Sequence, residues 1–490
     1  MSRPSLVRRP ADLRHVGDWF ERIAGVVMVT VIGVALGVLY MKPEKRSLST
    51  IGAVIVTGIA WRLDFVSGVG LLIMALPYPK ATTFGSTTLA LIMLLAIIYL
   101  LRVSQREVPT PRSTPLDAPI LALVGAYVIS FYNVVNLPMA FSMFMLFVGT
   151  LILYYLVVNS IRSEEDLRKL HMLQSFTTLG ILLLALYELN HPGASIIPGW
   201  IELGATERTE EFNRSNIRIG SSFGDYELLA DFCGLNLLFF AFQIARARGP
   251  YRRAFFGGMM GLSLLVLFCT VTRGPIFSLS AALLYLAWMT RRHLRVVPVS
   301  LGLAAVAVSF VSMNFFVSHF TSSGDLFARL GGTKLQGVLP EDRAGIWAEA
   351  FQRWMIHPII GWGPYYSHEH GLVQWYWPHN LYLYVANIVG VVGLTFFLVL
   401  LYRLWRLTRP SVDTLGAPSY VDSYLLIART QLAFFLADQT KIDYLRNWIY
   451  QYQVWLMFGF WVAAERLARE SRRPQGHPVR LAEPPPTAYS

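Results

Sequence analysis

Residues 380–404 read NLYLYVANIVGVVGLTFFLVLLYRL, a nearly unbroken apolar run that carries Arg403 close to its end and is followed by Arg406 and Arg409. The hydrocarbon core of a bilayer is about 30 Å thick, so about 20 apolar residues are enough for a helix to cross it. This stretch therefore predicts a transmembrane helix with a basic connection after it.

The same pattern recurs along the chain. Of the 490 residues, 54% are hydrophobic and 15% are charged, which excludes both an ordinary soluble domain and a disordered chain. We predict an all-α polytopic membrane bundle of about 12 to 14 spans. Apolar runs lie near 23–41, 84–101, 117–132, 139–159, 170–188, 223–245, 254–272, 274–290, 296–317, 380–404, 421–438 and 448–466, with two shorter runs at 48–61 and 65–76.

The basic residues indicate an orientation. The net charge of +12 could suggest nucleic-acid binding, but the arginines lie between the apolar runs and fall in every second short connection. By the positive-inside rule these connections face the cytoplasm. We predict a cytoplasmic segment 1–22, a membrane domain 23–466 and a disordered cytoplasmic tail 467–490. The residues that set this orientation are Arg102, Arg106, Arg112, Arg246, Arg248, Arg252, Arg253, Arg291, Arg292, Arg295, Arg403, Arg406 and Arg409.

Two connections on the predicted outer side are long, about 190–222 and about 318–379, and long ordered loops usually carry function. The larger loop contains PEDRAGIWAEAFQRWM, whose apolar residues recur at helical spacing and predict an amphipathic helix. Arg343 shares a helix face with Trp347 and Ala350, so it needs an anionic partner. That partner is either a carboxylate such as Asp342 or a bound ligand.

The larger loop ends in an aromatic and histidine-rich patch, WGPYYSHEHGLVQWYWPHN. His379 stands with Asn380 at the mouth of a span, where it is either a general base or a capping or interfacial residue. His368, Glu369 and His370 have the side chains of metal ligands, but adjacent positions rarely converge on one ion. We therefore expect no metal and no cofactor.

Three further arginines are candidates for anion binding. Arg273 stands on the outer side at a tight turn between two spans, where it either snorkels to the interface or marks a site. Arg214 and Arg218 precede a glycine and serine turn at a helix start, where free backbone N–H groups also favour anions. Asp225 and Glu227 are the alternative partners of Arg214 and Arg218.

These segments together resemble the superfamily of bacterial O-antigen ligases and O-antigen polymerases. The resemblance covers about 213–466 and rests on an ordered set of motifs. They are RIGSSFGDYELLA from Arg218, TRG at Thr272–Gly274, Arg343 with Trp347 followed by HPIIGWGP, and His379-Asn380 followed by GVVGLT at Gly390–Thr395.

The resemblance implies a membrane glycosyltransferase with a GT-C-like helical fold. Such an enzyme takes a glycan from an undecaprenyl diphosphate carrier at the outer face of the bacterial cytoplasmic membrane and passes it to an acceptor hydroxyl. His379 is then the expected base. The expected substrate-binding residues are Arg218, Arg273, Arg343, Asn380, Arg214, Trp347, Tyr365 and Tyr366. Flippase and chain-length regulator proteins are the expected protein partners.

The motif departures favour a polymerase of O-antigen or exopolysaccharide type over a ligase acting on lipid A core. Asp225-Tyr226 stands where the family usually has an asparagine-proline or similar pair, and Leu394 stands where the ligase motif has a threonine. A lipid-linked oligosaccharide flippase and a non-catalytic assembly protein remain as alternatives from other classes.

Overall fold

A computed structural model describes residues 57–79, 81–82, 85–197, 201–203, 218–291, 308–319, 321, 325–332, 335–336, 339–364, 378–409 and 419–472. Within these residues the protein is a helical bundle. Its helices are α1 (Phe65–Ala75), α2 (Thr87–Ser104), α3 (Asp117–Ser130), α4 (Leu137–Ser160), α5 (Glu164–Asn190), α6 (Tyr226–Arg246), α7 (Pro250–Cys269), α8 (Gly274–Thr290), α9 (Leu326–Gly331), α10 (Glu341–Trp354), α11 (Leu381–Leu407), α12 (Tyr420–Asp438) and α13 (Trp448–Arg472).

The described strands are very short and form three antiparallel pairs in the connections. They are β1 (Ala81–Thr82) with β2 (Gly85–Ser86), β3 (Ser195–Ile197) with β4 (Ile201–Glu202), and β5 (Leu335–Gln336) with β6 (Leu339–Pro340). Short 3₁₀ turns occupy Phe131–Asn133, Ser221–Phe223 and Tyr444–Arg446. The predicted all-α membrane bundle is therefore confirmed.

Six of the described helices are long and apolar enough to cross a bilayer: α2, α4, α5, α6, α7 and α11. Three shorter apolar helices, α1, α3 and α8, also coincide with predicted runs. Some predicted runs lie outside the described residues, namely 23–41, most of 48–61 and the first part of 296–317. The total of 12 to 14 spans therefore stays a prediction.

The helices α12 and α13 are long but less apolar, and they form the centre of the bundle. Helix α13 packs against α4, α11 and α12, and α12 packs against α6 and α8. The largest enclosed side chains include Trp455, Trp461, Tyr450 and Tyr452, all on α13. Because these helices face other helices instead of lipid, their polar residues find partners inside the protein.

The bundle has a basic end. There Arg102 Nη2 donates to Leu63 O at 2.9 Å, and Arg403 Nη1 donates to Pro115 O at 2.7 Å. Arg112 pairs with Glu470 at 2.8 Å. These contacts bring together two of the connections predicted to be cytoplasmic, at Arg102–Arg112 and at Arg403–Arg409, with the predicted cytoplasmic tail and the turn before α1. A 25-residue helix is about 37 Å long, so the other ends of the same helices meet far from this surface.

At that opposite end the amphipathic helix α10 lies against α11. The backbone of α11 is kinked at Gly390, where φ is 64°. The segment HPIIGWG fills the kink: Trp362 N donates to Asn387 O at 2.8 Å, and Val391 N donates to Pro358 O at 2.8 Å. Asn387 Nδ2 also donates to Ala350 O at 3.1 Å, which fixes α10 on α11.

Candidate functional site

The ends of five segments converge at the end of the bundle opposite the basic connections. These are the start of α6, the start of α10, the residues before α11, the start of α8 and the connection 439–447 between α12 and α13. Leu381 N donates to Gln439 O at 2.9 Å, and Asn447 Nδ2 donates to Phe223 O at 2.6 Å. The connection 439–447 thus holds the starts of α6 and α11 together.

Glu227 is the centre of an ion cluster at this junction. Its Oε1 accepts a hydrogen bond from Arg343 Nη2 at 2.9 Å, and its Oε2 accepts one from Arg446 Nη2 at 2.9 Å. The same Oε2 lies 3.2 Å from His379 Nδ1. Arg446 Nη2 also donates to Asp225 Oδ1 at 2.8 Å. Two carboxylates and two guanidinium groups therefore surround the predicted base.

His379 has a backbone conformation that histidine rarely adopts. Its φ is 46°, in the left-handed region, which costs a non-glycine residue about 1 to 3 kcal/mol. The residues that follow it hold this conformation in place: Asn380 Nδ2 donates to Thr440 O at 3.2 Å, and Leu381 N donates to Gln439 O. The side chain is 25% exposed, so one side of the ring remains accessible to solvent.

Arg446 joins the cluster from the 3₁₀ turn Tyr444–Arg446. Its Nη1 lies 2.8 Å from His379 Nδ1, and its side chain is 8% exposed. Burial disfavours the charged form, but Asp225 and Glu227 outweigh burial and raise the pKa of the guanidinium above its usual value. Arg446 therefore stays charged and is in direct contact with the predicted base.

Asp443, three residues before Arg446, is fully buried. Neither of its carboxyl oxygens has a hydrogen-bond partner among the described residues. Burial raises the pKa of Asp443 to about 6, and the charges of Arg446 and His379 oppose that rise. This carboxyl group therefore keeps its proton to a higher pH than an exposed aspartic acid does.

A buried polar network supports the connection 439–447 from below. Gln439 Nε2 donates to Asp231 Oδ2 at 3.1 Å, and Gln439 Oε1 accepts from Tyr444 N at 2.9 Å. Lys441 Nζ donates to Gly274 O at 2.9 Å. Burial lowers the pKa of Lys441, against the opposing effect of Asp438. The network links this connection to the starts of α6 and α8.

Arg218 is buried at the start of the RIGSS segment and contacts residues of the TRG segment. Its Nε donates to Thr270 O at 3.0 Å, its Nη2 donates to Thr272 Oγ1 at 3.2 Å, and its guanidinium lies 3.2 Å from the ring centroid of Tyr226. Arg218 therefore joins the RIGSS segment to the TRG segment. Asp225 and Glu227, its alternative partners, pair with Arg446 and Arg343.

The glycine and serine turn after Arg218 already binds a carboxyl group of the protein. Glu188, near the end of α5, accepts from Gly220 N at 3.0 Å and from Ser221 N at 2.6 Å through Oε2. Asp225 caps α6 by accepting from Leu228 N at 3.1 Å. The prediction that these backbone N–H groups are free for a substrate anion was therefore wrong, because buried carboxylates of the chain itself occupy them.

The amphipathic helix α10 presents Arg343 to the cluster, as its helix face predicted. One anionic partner is Glu227, a residue outside the helix. Arg343 Nη1 and the indole Nε1 of Trp347 are buried without a hydrogen-bond partner in the described part of the chain. The helix therefore brings two unsatisfied donors to the same region.

Two other predicted residues lie at this end of the bundle. Arg273 is half-buried at the start of α8, which also carries Gly274, the partner of Lys441. Asn380 caps α11 through a bond from Leu383 N to its Oδ1 at 3.1 Å. The amide of Asn380 thus bonds within the protein through both its oxygen and its nitrogen, and its role in substrate binding stays a prediction.

Several predicted residues lie outside the described residues: Arg214, Tyr365 and Tyr366, and also His368, Glu369 and His370. Their proposed roles stay predictions. Among the residues that the structure describes, three or more His, Cys, Asp or Glu side chains do not meet in a group that could hold a metal ion.

Sequence reasoning missed Arg446 as a site residue and the carboxyl group of Asp443. Both lie in the short connection between α12 and α13, which carries the polar sequence DQTKIDYLRN. The sequence feature that could have indicated them is the number of charged residues in this short connection between two buried helices. The role of Glu227 as the shared partner of Arg343 and Arg446 depends on tertiary contacts over more than 100 residues.

Part of this site lies in a segment that matches a known protein family. Residues 258–398 match the family model described as O-Antigen ligase, which confirms the predicted resemblance. The match includes Arg273, Arg343, Trp347 and His379, whereas Glu227 and Arg446 lie outside it. A comparison with curated proteins gives no match. The matched segment supports an enzyme of the O-antigen ligase and polymerase type, and the six long apolar helices in the described part of the chain fit a membrane protein.

Proposed function

We propose that the protein is a membrane glycosyltransferase, because residues 258–398 match the O-antigen ligase family model. It transfers a glycan from an undecaprenyl diphosphate carrier to an acceptor hydroxyl. The observation that carries this proposal is the arrangement around His379, whose Nδ1 lies 3.2 Å from Glu227 Oε2. A histidine oriented by a carboxylate is a recurrent arrangement for taking a proton from a hydroxyl group.

In the proposed reaction His379 acts as general base. The acceptor oxygen attacks the anomeric carbon of the donor sugar while its proton passes to the imidazole. The bond from the anomeric carbon to the phosphate oxygen breaks, and the lipid diphosphate leaves with the electron pair. A single displacement of this kind inverts the anomeric configuration. Glu227 stabilises the imidazolium ion that forms.

The departing diphosphate needs fixed positive charge, and arginine side chains supply it by charge-assisted hydrogen bonds. Arg273 and Arg343 are the proposed ligands of the diphosphate. Arg343 Nη1 has no partner among the described residues, which leaves one donor for an anion once the site opens. Arg218 is buried between α6 and the TRG segment, so we propose that it fixes the geometry of Arg273 more than it binds substrate.

The acceptor is proposed to be another lipid-linked repeat unit, which makes the protein a polymerase of O-antigen or exopolysaccharide type. The departures at Asp225-Tyr226 and Leu394 support this choice. A ligase that transfers the glycan to lipid A core is the second candidate, because the matching family is described as O-Antigen ligase. Both reactions release the same lipid diphosphate.

The proposed location is the bacterial cytoplasmic membrane, with the site on the outer face. The ion cluster around Glu227 lies at the end of the bundle away from Arg102, Arg403 and the other basic connections, and basic connections favour the cytoplasm. Flippase and chain-length regulator proteins are the proposed partners of the polymerase reaction.

Mass spectrometry of lipid-linked and surface glycans, in a deletion strain complemented with the wild type or with His379→Ala, tests the proposal. Single repeat units without long chains in the mutant strain identify a polymerase. Long chains left on undecaprenyl diphosphate identify a ligase. Unchanged glycans at normal protein level would contradict a catalytic role and favour an assembly protein. Lipid-linked units retained on the cytoplasmic face would favour a flippase.

A further inference from the structure

The contact between Arg446 and His379 determines which imidazole nitrogen carries the proton. Arg446 Nη1 lies 2.8 Å from His379 Nδ1 with hydrogen-bond geometry. A guanidinium group has only donors, so the nitrogen that faces it must offer a lone pair. For Arg446 Nη1 to donate to Nδ1, Nδ1 must be unprotonated, and a neutral imidazole then holds its proton on Nε2.

This tautomer is the wrong one for a base that acts through Nε2. Nδ1 is enclosed by Arg446 and Glu227, so Nε2 is the nitrogen left for an acceptor hydroxyl. A protonated Nε2 has no lone pair to accept another proton. The imidazolium ion formed during transfer also has a proton on Nδ1, which would point at an N–H group of Arg446 only 2.8 Å away.

The alternative partner is already in place. Glu227 Oε2 lies 3.2 Å from the same Nδ1 and is only an acceptor. If Arg446 Nη1 leaves, Nδ1–H can donate to Glu227, and Nε2 becomes unprotonated. A diphosphate competes well for Arg446, because a bond from a cation to an anion is stronger than a bond to a neutral ring nitrogen. Arg446 Nε, with no hydrogen-bond partner in the described part of the chain, adds a second donor.

We propose that Arg446 is a positioning residue that holds His379 in the inactive tautomer until the diphosphate of the donor draws its Nη1 away. The exchange leaves the number of protons unchanged: the ring releases the Nε2 proton to water and takes one from water at Nδ1. Binding of the donor thereby activates the base, so the free enzyme does not deprotonate water or a lone acceptor. This inference rests on the proposed function.

The test is ¹⁵N NMR of histidine-labelled full-length protein in micelles, because the shifts of the two ring nitrogens show which one is protonated. The signals of His379 are identified by their loss in His379→Gln. Farnesyl diphosphate serves as the probe, and farnesol serves as the uncharged control with the same lipid tail. We expect the Nε2–H tautomer without ligand and with farnesol, and the Nδ1–H tautomer with saturating farnesyl diphosphate.

Arg446→Met provides a second measurement. It removes the donor but keeps an unbranched side chain, so we expect the Nδ1–H tautomer even without ligand. An Nδ1–H tautomer in the free wild type, or an unchanged tautomer at saturating farnesyl diphosphate, would overturn the inference. If the tautomer is unchanged while purified protein still transfers glycan, only this inference fails. If farnesyl diphosphate does not bind and glycan is not transferred, the proposed function fails with it.

Discussion

Gly361 and Gly390 lie backbone against backbone where the HPIIGWG segment enters the kink of α11. A Cβ atom on Gly390 would stand 2.1 Å from Ile359 O, and one on Gly361 would stand 2.5 Å from Ile388 C. Both glycines have positive φ, 64° at Gly390 and 71° at Gly361. Two of the motifs that define the family resemblance are therefore the two halves of one backbone junction, which fixes α10 and its Arg343 beside α11.

Replacing Gly390 with alanine should destabilise the protein by about 2 to 4 kcal/mol, because the methyl group meets backbone atoms and the residue keeps a left-handed conformation. Thermal unfolding in detergent measures the effect. Gly258→Ala is the matched control, because a Cβ there meets nothing within 4 Å and α7 is a regular helix. Equal melting temperatures for the two variants would contradict the junction.

Glu227→Gln should reduce both stability and transfer. The substitution removes the negative charge shared by Arg343 and Arg446, and breaking a buried ion pair costs about 3 kcal/mol. The loss of the carboxylate beside His379 should lower the transfer rate about 100-fold. Glu349→Gln is the control, since the pair of Glu349 with Arg353 lies within one helix and the Glu349 side chain is 36% exposed, against 16% for Glu227. A Glu227→Gln enzyme with wild-type rate would exclude this carboxylate from the reaction.

Asp443 should make stability depend on pH. Its pKa is raised to about 6 by burial, above the usual value of about 3.9. Between these values the folded state holds a proton that the unfolded state has released, so stability falls as pH rises and the loss is complete above pH 6. The full loss is about 3 kcal/mol.

Asp443→Asn remains neutral at every pH and should escape this loss. The melting temperature of Asp443→Asn relative to that of the wild type should therefore be higher at pH 8 than at pH 5. A difference between the two proteins that is the same at both pH values would contradict a titrating Asp443.

Arg273 and Arg291 stand at opposite ends of α8 and give a matched pair of variants. We expect Arg273→Ala to lower glycan transfer about 10- to 100-fold, since a charge-assisted hydrogen bond contributes about 1.5 to 3 kcal/mol. Arg291→Ala, at the basic end, should leave transfer unchanged. Release of lipid diphosphate by purified protein provides the measurement. Equal rates for the two variants would place the diphosphate elsewhere.

The helices could be predicted closely from sequence because a helix that faces lipid must be apolar along its own length. The predicted run 274–290 coincides with α8, and 117–132 coincides with α3 to within two residues at its end. The central helix α13 extends to Arg472, beyond the predicted end at 466. Its last turn carries charges that leave the apolar pattern but still form pairs, such as Arg472 with Asp422 at 2.5 Å.

The site could be predicted only in part. His379 and Arg343 stand out because a polar residue at a span mouth or on a buried helix face is unusual within its own segment. The partner of Arg343 is not local, since Glu227 comes from a helix 116 residues earlier in the chain. For the same reason the contact of Arg446 with His379 could not be predicted. The group that binds the backbone N–H of Gly220 is the side chain of Glu188, which also comes from a different helix.

The most direct test of the central claim is the release of undecaprenyl diphosphate by purified protein supplied with lipid-linked glycan and acceptor. His379→Ala should release at least 100-fold less than the wild type, because the base is missing. His191→Ala, an exposed histidine at the end of α5, should release as much as the wild type. A His379→Ala enzyme that releases lipid diphosphate at the wild-type rate would contradict the account.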